Sequence, residues 1–452
     1  MLFGLVSVAA IACLEVLRRI WKRSRRCDLT YFHGLGNGVL VLNSLNAIND
    51  LLDRRGNIYS HRPILTVGGE LMGIDQTTVF MPHGPQWREH RRLAHTALNP
   101  TAVKQYHNTQ QRIATLLCKG LLDRPEDFHS LARLAAGRIV MSVTYGLSVD
   151  DSQEHIMCAE QLMLILGKVV LPGAYLADLI PVLKYLPSWV PFQREVASTR
   201  RLLYQVLNQP FSHFEEDRRM GIAGPSLAFD LMSHEAGSTL TDEQLRTIKW
   251  VLVTTYNAGT ESVQQTHGTI ISFILAMARF PEKQRLAQEE IDRVLGGKRM
   301  PTIADLPNLP YVNAVIKETM RLHPVVPLGI PRRTAEDDEY MGNHIPKGTI
   351  IIPNVWSIAL TPNCQYDPHE FIPERFLDSS AEIPDPFAYL FGFGRRVCPG
   401  KVLGQNSIFI FIASILATFD ISFTPGREKQ EPKFLGGVVR SVSSSLNFIA
   451  GH

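Results

Sequence analysis

The feature that most constrains the fold is a long helical stretch between Thr241 and Pro281. Thr241 followed three residues later by Gln244 forms a capping box, which is typical of a helix start, and Pro281 marks the far end. The roughly 38 residues between them would form a helix about 57 Å long at 1.5 Å per residue. Apolar residues occur nearly all round this segment, so it is predicted to run through the core of a large helical domain.

The rest of the chain supports a mainly helical fold with small sheets. Residues 40–281 show helical spacing of apolar residues almost throughout, and residues 404–419 form another helical segment. Short β-branched runs broken by Pro and Gly predict strands within residues 339–360. No regular alternation of strands and helices appears, and no G-x-G-x-x-G motif is present, which argues against a nicotinamide-binding domain.

Composition excludes several classes of protein. The 452 residues are 45% hydrophobic and carry a formal net charge of only +3, without the basic, aromatic-rich stripe of a nucleic-acid-binding surface. The length alone suggests about three domains, but no linker divides the chain. The six cysteines include no C-x-x-C pair, so a zinc ribbon, a thioredoxin-like site and a disulfide framework are not expected.

The N-terminus predicts a membrane anchor. Residues 1–14 carry no charge, and six basic residues follow between Arg18 and Arg26. A signal peptide has its positive charge before the apolar run, so a retained anchor over residues 1–26 is favoured, with the basic flank in the cytosol. The run is short for a spanning helix, which leaves an amphipathic helix on the membrane surface as the alternative. Residues 27–452 are then predicted to form one large domain.

The stretch FGFGRRVCPG, residues 391–400, places one cysteine in a glycine-rich, cationic turn. Gly394 and Gly400 would let the backbone pass close to a bulky group. Arg395 and Arg396 would put positive charge beside the sulfur of Cys398, which favours a thiolate. This cysteine is therefore the candidate for chemistry, whereas the other five are expected to be ordinary small hydrophobic residues.

Two polar residues stand out in the middle of the long apolar helix. Glu261 and Ser262 follow Gly259, which itself costs about 1 kcal/mol relative to Ala in a helix interior. Buried polar groups need partners, so a local break of the helix that makes room for a ligand is predicted here. The alternative is a tolerated kink whose polar groups are satisfied by water.

Two further pairs have helical spacing. Glu318 and Arg321 lie three residues apart and would face each other, and Arg375 is a candidate for closing a buried network with them. The alternative is an ordinary surface ion pair. Trp87 and Arg91 lie four apart and would present an indole N–H and a guanidinium to anionic oxygens; the alternative for this pair is a solvated basic helix.

Together these motifs resemble the cytochrome P450 family of haem-thiolate monooxygenases over roughly residues 40–423. The family's F-x-x-G-x-R-x-C-x-G element is matched at Phe391, Gly394, Arg396, Cys398 and Gly400. The A-G-x-E, E-x-x-R and P-E-R-F elements lie upstream of it. The spacing and the W-x-x-x-R element are most similar to membrane-bound fungal-type members, which often act in secondary metabolism.

The resemblance implies a role for each motif. Cys398 would be the metal ligand, a thiolate bound to the iron of haem b. Gly394 and Gly400 would allow the loop to lie against the porphyrin, and Phe391 would pack near the sulfur. Glu261 and Ser262 would relay protons to bound O2. The haem carboxylates would be met by Arg396, Trp87, Arg91 and Arg332, and the structural network behind the haem would be Glu318, Arg321 and Arg375. The candidate substrate-lining residues are Ala258, Gly259, Val325, Val326 and Leu328.

The function implied is insertion of one oxygen atom of O2 into a hydrophobic organic substrate at the endoplasmic reticulum membrane, with the catalytic domain facing the cytosol. Electrons would come from NADPH-cytochrome P450 reductase, which could dock on a basic face around Arg88, Arg92 and Arg395. A haem-thiolate isomerase or dehydratase, a non-catalytic haem-binding protein and an inactive product remain alternatives. Ser262 replaces the family's usual threonine, and several tens of residues that normally follow the anchor are missing.

Overall fold

The computed structural model describes most of the chain, and that part is mainly helical with small sheets, which confirms the predicted fold class. The described residues are 27–34, 37–148, 152–170, 174–234, 240–423, 433–435, 441–443 and 446–450. The predicted anchor over residues 1–26 lies outside them. Within the described ranges, no helix combines the length and the apolar character needed to cross a membrane.

The α-helices are numbered here in chain order. They are α1 Leu45–Ile48, α2 Pro85–Leu98, α3 His107–Asp123, α4 Phe128–Tyr145, α5 Gln153–Val169, α6 Leu176–Leu179, α7 Pro191–Met220, α8 Leu227–His234, α9 Asp242–Arg279, α10 Pro281–Leu295, α11 Pro310–Leu322, α12 Val355–Ala359, α13 Pro386–Tyr389 and α14 Lys401–Leu416. Two π-helical turns, Asn49–Arg54 and Thr66–Leu71, precede α2.

The long helix α9 has the start and the end that its sequence predicts. The Thr241 hydroxyl accepts a hydrogen bond from the Gln244 N–H at 3.2 Å, and the Gln244 side chain accepts one from the Thr241 N–H at 2.8 Å. The helix ends at Arg279, and Pro281 begins the next one. The backbone stays helical through residues 258–262, so the predicted local break is wrong. The side chains of residues 258–265 lie outside the described part of the chain.

The core forms around α9, which packs against α2, α4 and α14. Ile270, Phe273 and Ile274 of α9 are fully buried, as a helix that is apolar on most of its faces requires. Helix α14 is buried along nearly its whole length after its first turn. The two helices therefore hold the elements on either side of them in fixed positions.

The strands form four small sheets. They are β1 Leu29–Gly34, β2 Asn37–Leu42, β3 Arg332–Arg333, β4 Asp338–Tyr340, β5 Asn343–Ile345, β6 Ile350–Pro353, β7 Phe419–Phe423, β8 Lys433–Leu435, β9 Ser441–Ser443 and β10 Leu446–Ala450. The largest sheet has the order β1-β2-β6-β3, with β2 and β6 parallel and the other pairs antiparallel. Sheets of two strands pair β10 with β7, β4 with β5 and β8 with β9. The strands predicted within residues 339–360 end at Pro353, because Asn354 caps α12 instead.

Glu318, Arg321 and Arg375 lie together in a buried cluster. The Glu318 carboxylate accepts hydrogen bonds from Arg321 at 2.7 and 2.9 Å, from Arg375 at 3.0 Å and from the Ile372 N–H at 2.8 Å. The three charged side chains are at most 3% exposed. Arg321 also donates to the carbonyl of Ala359 at 2.9 Å, so one carboxylate organises two arginines that tie α11 to the segments after it.

Because both arginines depend on one carboxylate, we predict that Glu318→Gln lowers the free energy of unfolding by about 3–5 kcal/mol. Urea unfolding followed by circular dichroism measures this. The matched control is Glu289→Gln, which removes an exposed partner of Arg285 one turn away and is expected to cost less than about 0.5 kcal/mol. Equal losses in the two variants would show that the buried cluster does not stabilise the fold.

Candidate active site

A central cavity lies between α9, α2 and the loop of residues 391–400. Cys398 and Phe391 belong to the loop wall, Trp87 and Arg91 to the α2 wall, and Thr254 of α9 to a third. Residues from three distant parts of the sequence therefore face one space. Cys398, Phe391, Arg396, Gly400, Trp87, Arg91 and Arg332, all expected around a haem, are in its lining.

The cysteine loop is held by backbone hydrogen bonds and by glycine. The Cys398 N–H donates to the Phe391 carbonyl at 2.8 Å, which closes the loop beneath the sulfur. Gly394 has a φ of +49°, and a Cβ there would lie 2.2 Å from the carbonyl oxygen of Leu52. Gly394 therefore permits contact with the π-helical turn Asn49–Arg54 and is not among the cavity-lining residues, unlike the sequence expectation. Gly400 does line the cavity, next to the sulfur.

Burial raises the pKa of the Cys398 thiol. A hydrogen bond from the Gly400 N–H and the charges of Arg91 and Lys401 act in the opposite direction but are smaller. The expectation that Arg395 and Arg396 supply this charge is wrong, because the charges that act on the sulfur are those of Arg91 and Lys401. Arg395 is exposed, and the Arg396 guanidinium donates to backbone carbonyls. A coordinated metal ion deprotonates a thiol outright, so it would outweigh this effect of burial.

Four arginines line the cavity: Arg62, Arg91, Arg332 and Arg396. Arg396 donates to the carbonyls of Ser60, Thr78 and Met81 at 2.9, 3.1 and 2.7 Å. Arg332 donates to the Phe393 carbonyl at 2.6 Å, and Arg91 to the Val397 carbonyl at 2.9 Å. Arg62 donates to the carbonyls of Val79, Ile330 and Pro331 at 2.7–2.8 Å. Each guanidinium is thus fixed by neutral backbone groups.

None of these four arginines lies within 4.0 Å of a carboxylate of a described residue, although the charge of Asp53 acts on Arg332 from farther away. Burial lowers the pKa of Arg332 to about 10 and that of Arg396 to about 9, and it lowers the pKa of Arg62 well below the usual value of an arginine. Buried positive charge of this kind is costly without an anion. A flat ligand with carboxylates at one edge and a metal that accepts a thiolate satisfies both the arginines and the cysteine, and haem has both features.

Trp87 completes this side of the cavity. Its side chain is buried, with the guanidinium carbons of Arg396 and Arg91 at 4.7 and 5.8 Å from the ring centroid. The ring positions both cations through cation–π contacts. Arg62 was not identified from the sequence, because it belongs to no motif and lies 25 or more positions away from the other cavity arginines and from Trp87. It comes close to Arg396 only in the folded chain.

The other walls are mostly apolar. Val325 and Val326 line the cavity as expected, together with Val140 and Val143 of α4. Leu328 does not line it: the side chain is 50% exposed, because a turn closed by the Gly329 N–H and the Val326 carbonyl directs it outwards. The expected substrate-side and catalytic residues Ala258, Gly259, Glu261 and Ser262 have side chains outside the described part of the chain.

We predict that Arg332→Met stabilises the haem-free protein by about 1 kcal/mol, because the cost of burying a cation with no carboxylate within 4.0 Å exceeds the contribution of its hydrogen bonds to the carbonyls of Phe393 and Leu52. The same change should speed haem release about tenfold, because a carboxylate loses a charged hydrogen bond. Urea unfolding of the haem-free protein and haem transfer to an apoglobin measure the two effects. Arg333→Met, at a neighbouring position outside the cavity lining, is the control and should leave haem release unchanged. A less stable haem-free protein with unaltered haem release would contradict this account of the arginines.

Comparisons with known proteins show to which family the chain belongs. The family model described as Cytochrome P450 matches residues 21–447. Cytochrome P450 monooxygenase COX2 of Coprinopsis cinerea is 39% identical over 430 residues, covering 93% of this chain and 81% of the relative. Cytochrome P450 monooxygenase ple1 of Rhodocybe pseudopiperita is 37% identical, covering 89% of this chain and 77% of the relative.

The fold is also found in solved structures. A zebrafish cytochrome P450 structure with abiraterone superimposes with a TM-score of 0.71 at 24% identity, covering 95% of this chain and 98% of that one. This likeness concerns the fold alone, whereas the family model and the fungal relatives establish the family. The chain therefore belongs to the cytochrome P450 family of monooxygenases, whose cofactor is haem b.

Proposed function

We propose that the central cavity binds haem b, with Cys398 as the thiolate ligand. The protein then oxidises a hydrophobic organic substrate that binds in the same cavity. We also propose that residues 27–452 form the one catalytic domain. The observation that carries this proposal is the placement of the Cys398 sulfur in the same cavity as four arginines that have no carboxylate of a described residue within 4.0 Å. Thiolate-ligated haem supplies the electron density that favours O–O bond cleavage when it is bound.

The protein's own residues would bind and orient the cofactor. Arg62, Arg91, Arg332 and Arg396 are already fixed by backbone carbonyls, so they need little reorganisation to meet carboxylates. The Gly400 N–H hydrogen-bonds to the sulfur and would favour its charged form. Phe391 is partly buried against α14, where a Cβ at Gly404 would lie 3.3 Å from its ring, and it would keep water from the sulfur.

The proposed proton relay is on α9. Thr254 and Thr266 of this helix line the cavity, and positions 258 and 262 lie between them at intervals of four residues on an unbroken helix. Residues four apart share a helix face. This spacing supports Ser262 as a member of the proposed proton-relay pair, for which Glu261 is the adjacent residue in the sequence.

The proposed electron donor is NADPH-cytochrome P450 reductase. No G-x-G-x-x-G motif is present in the sequence, which favours a separate protein as the source of the electrons. Arg88 and Arg395 are exposed, and both lie in segments that carry cavity residues. Arg92 is also exposed but forms an ion pair with Glu89 at 2.6 Å, so it offers less charge to an acidic partner.

We also propose that the protein lies at the endoplasmic reticulum membrane with its catalytic domain in the cytosol. The support is an apolar surface within residues 176–189. Its side chains are 41–77% exposed: Leu176, Leu179, Ile180, Val182, Tyr185, Leu186 and Trp189. Exposed apolar side chains grouped in this way mark interaction sites, and tyrosine and tryptophan favour the membrane–water interface.

The monooxygenase proposal predicts oxygen incorporation that depends on NADPH. Apolar compounds that shift the haem spectrum of the purified protein would be incubated with reductase and NADPH under labelled ¹⁸O2. Each product should carry one labelled oxygen atom, and omission of NADPH should abolish it. A product formed without NADPH, as an isomerase would make, or a product without label, contradicts the proposal.

The membrane proposal predicts contact between Trp189 and lipid. In nanodiscs, brominated acyl chains should quench part of the tryptophan fluorescence of the full chain, and Trp189→Phe should remove a quenched component. Trp250→Phe is the control, since Trp250 is only 3% exposed and should not report lipid. Quenching that is the same after Trp189→Phe would show that this surface does not meet the bilayer.

A further inference from the structure

A buried histidine lies against a threonine in the cavity wall. His90 of α2 has no exposed surface, and its Nδ1 lies 3.0 Å from the hydroxyl oxygen of Thr78. Thr78 lines the central cavity, whereas His90 stands behind it. The Thr78 carbonyl accepts a hydrogen bond from Arg396, but its hydroxyl and the His90 ring make no hydrogen bond with the four arginines or with the sulfur loop.

Thr78 is held from three directions. Its N–H donates to the Thr254 hydroxyl of α9 at 3.3 Å, and its carbonyl accepts from Arg396 at 3.1 Å. The contact with His90 fixes the side chain as well. The hydroxyl is therefore positioned before any ligand arrives, which is the condition for a hydrogen bond that discriminates between ligands.

The surroundings of the second ring nitrogen, Nε2, indicate which nitrogen of His90 carries the proton. Nε2 is buried and has no hydrogen-bond partner in the described part of the chain. A buried N–H without an acceptor is rarer in proteins than an acceptor left unfilled, so the proton is assigned to Nδ1, which donates to Thr78. Burial lowers the pKa of His90 to about 4, so the ring is neutral at physiological pH and carries one proton.

With Nδ1 donating, the Thr78 hydroxyl accepts from His90 and keeps its own hydrogen for another partner. No further partner for this hydroxyl is found among the described residues. Val79 beside it, and Val140, Val143, Val325 and Val326 on other walls, offer no acceptor. The Thr254 hydroxyl beside it already accepts from the Thr78 N–H, so the hydrogen of the Thr78 hydroxyl is free to meet a ligand in a cavity whose other walls are mostly apolar.

We propose that Thr78, oriented by His90, donates a hydrogen bond to an oxygen atom of the substrate. The substrate class is then an apolar molecule that already carries a hydroxyl or carbonyl oxygen, and Thr78 is a specificity-determining residue. His90 is a positioning residue, since it acts through Thr78. This inference rests on the proposed function, in which the substrate occupies the cavity beside the haem.

The test compares ligands that differ by one oxygen. The full-length haem-loaded protein would be titrated spectroscopically with 2-decalone and decalin, and with 1-adamantanol and adamantane. The wild type should prefer the oxygen-bearing member of each pair. Thr78→Val keeps the shape but removes the hydroxyl, so it should weaken binding of the ketone and the alcohol about tenfold while the hydrocarbons change less than about twofold.

Two further variants separate orientation from structure. His90→Phe should reduce the preference in the same direction as Thr78→Val, because the hydroxyl loses its orienting donor. Thr255→Val, at another cavity threonine for which the described residues offer no such donor, should keep the wild-type preference. Absence of a preference in the wild type, its persistence in Thr78→Val, or its equal loss in Thr255→Val overturns the inference.

The carbon monoxide difference spectrum of the reduced protein distinguishes a failure of this inference from a failure of the proposed function. All three variants should bind haem and give the same thiolate-type band as the wild type. If Thr78→Val instead loses haem and weakens all four ligands equally, the hydroxyl serves the cofactor and not the substrate. That result would overturn the inference while leaving Cys398 and the monooxygenase assignment intact.

Discussion

The site depends on buried positive charge that the described residues do not neutralise. The guanidinium of Arg396 joins the carbonyls of Ser60, Thr78 and Met81, and that of Arg62 joins carbonyls from two other segments. Carbonyl dipoles fix these side chains but do not cancel their charge. The same arginines that hold the cavity walls together therefore create its need for an anion, so folding and cofactor binding are linked.

Much of the fold could be predicted because its signals are local. The capping box at Thr241, the prolines that begin α2, α10 and α11, and the apolar periodicity between them set helix ends within a few residues of those observed. The buried contact of Glu318 with Arg321 follows from helical spacing in the same way. The long helix stays continuous through Gly259 because one glycine costs only about 1 kcal/mol, which its packing elsewhere outweighs.

The remaining features depend on contacts between distant parts of the chain, which spacing does not reveal. Gly394 is required by the carbonyl of Leu52, more than 300 residues earlier, and not by a ligand. Leu328 points outwards because of a turn that a hydrophobic sequence does not signal. Likewise, Thr78 and Arg62 are brought to the cavity by the fold: Arg396 donates to the Thr78 carbonyl, and Arg62 donates to the carbonyl of the next residue, Val79. The sequence therefore identified the cysteine side of the cavity better than the substrate side.

The central claim is that the Cys398 sulfur ligates haem iron. The most direct measurement is the carbon monoxide difference spectrum of the reduced, haem-loaded protein, compared with that of Cys398→Ala. The account predicts a thiolate-type Soret band in the wild type and its absence in the variant, because alanine offers no ligand. A wild type without that band, or a variant that retains it, would contradict the assignment.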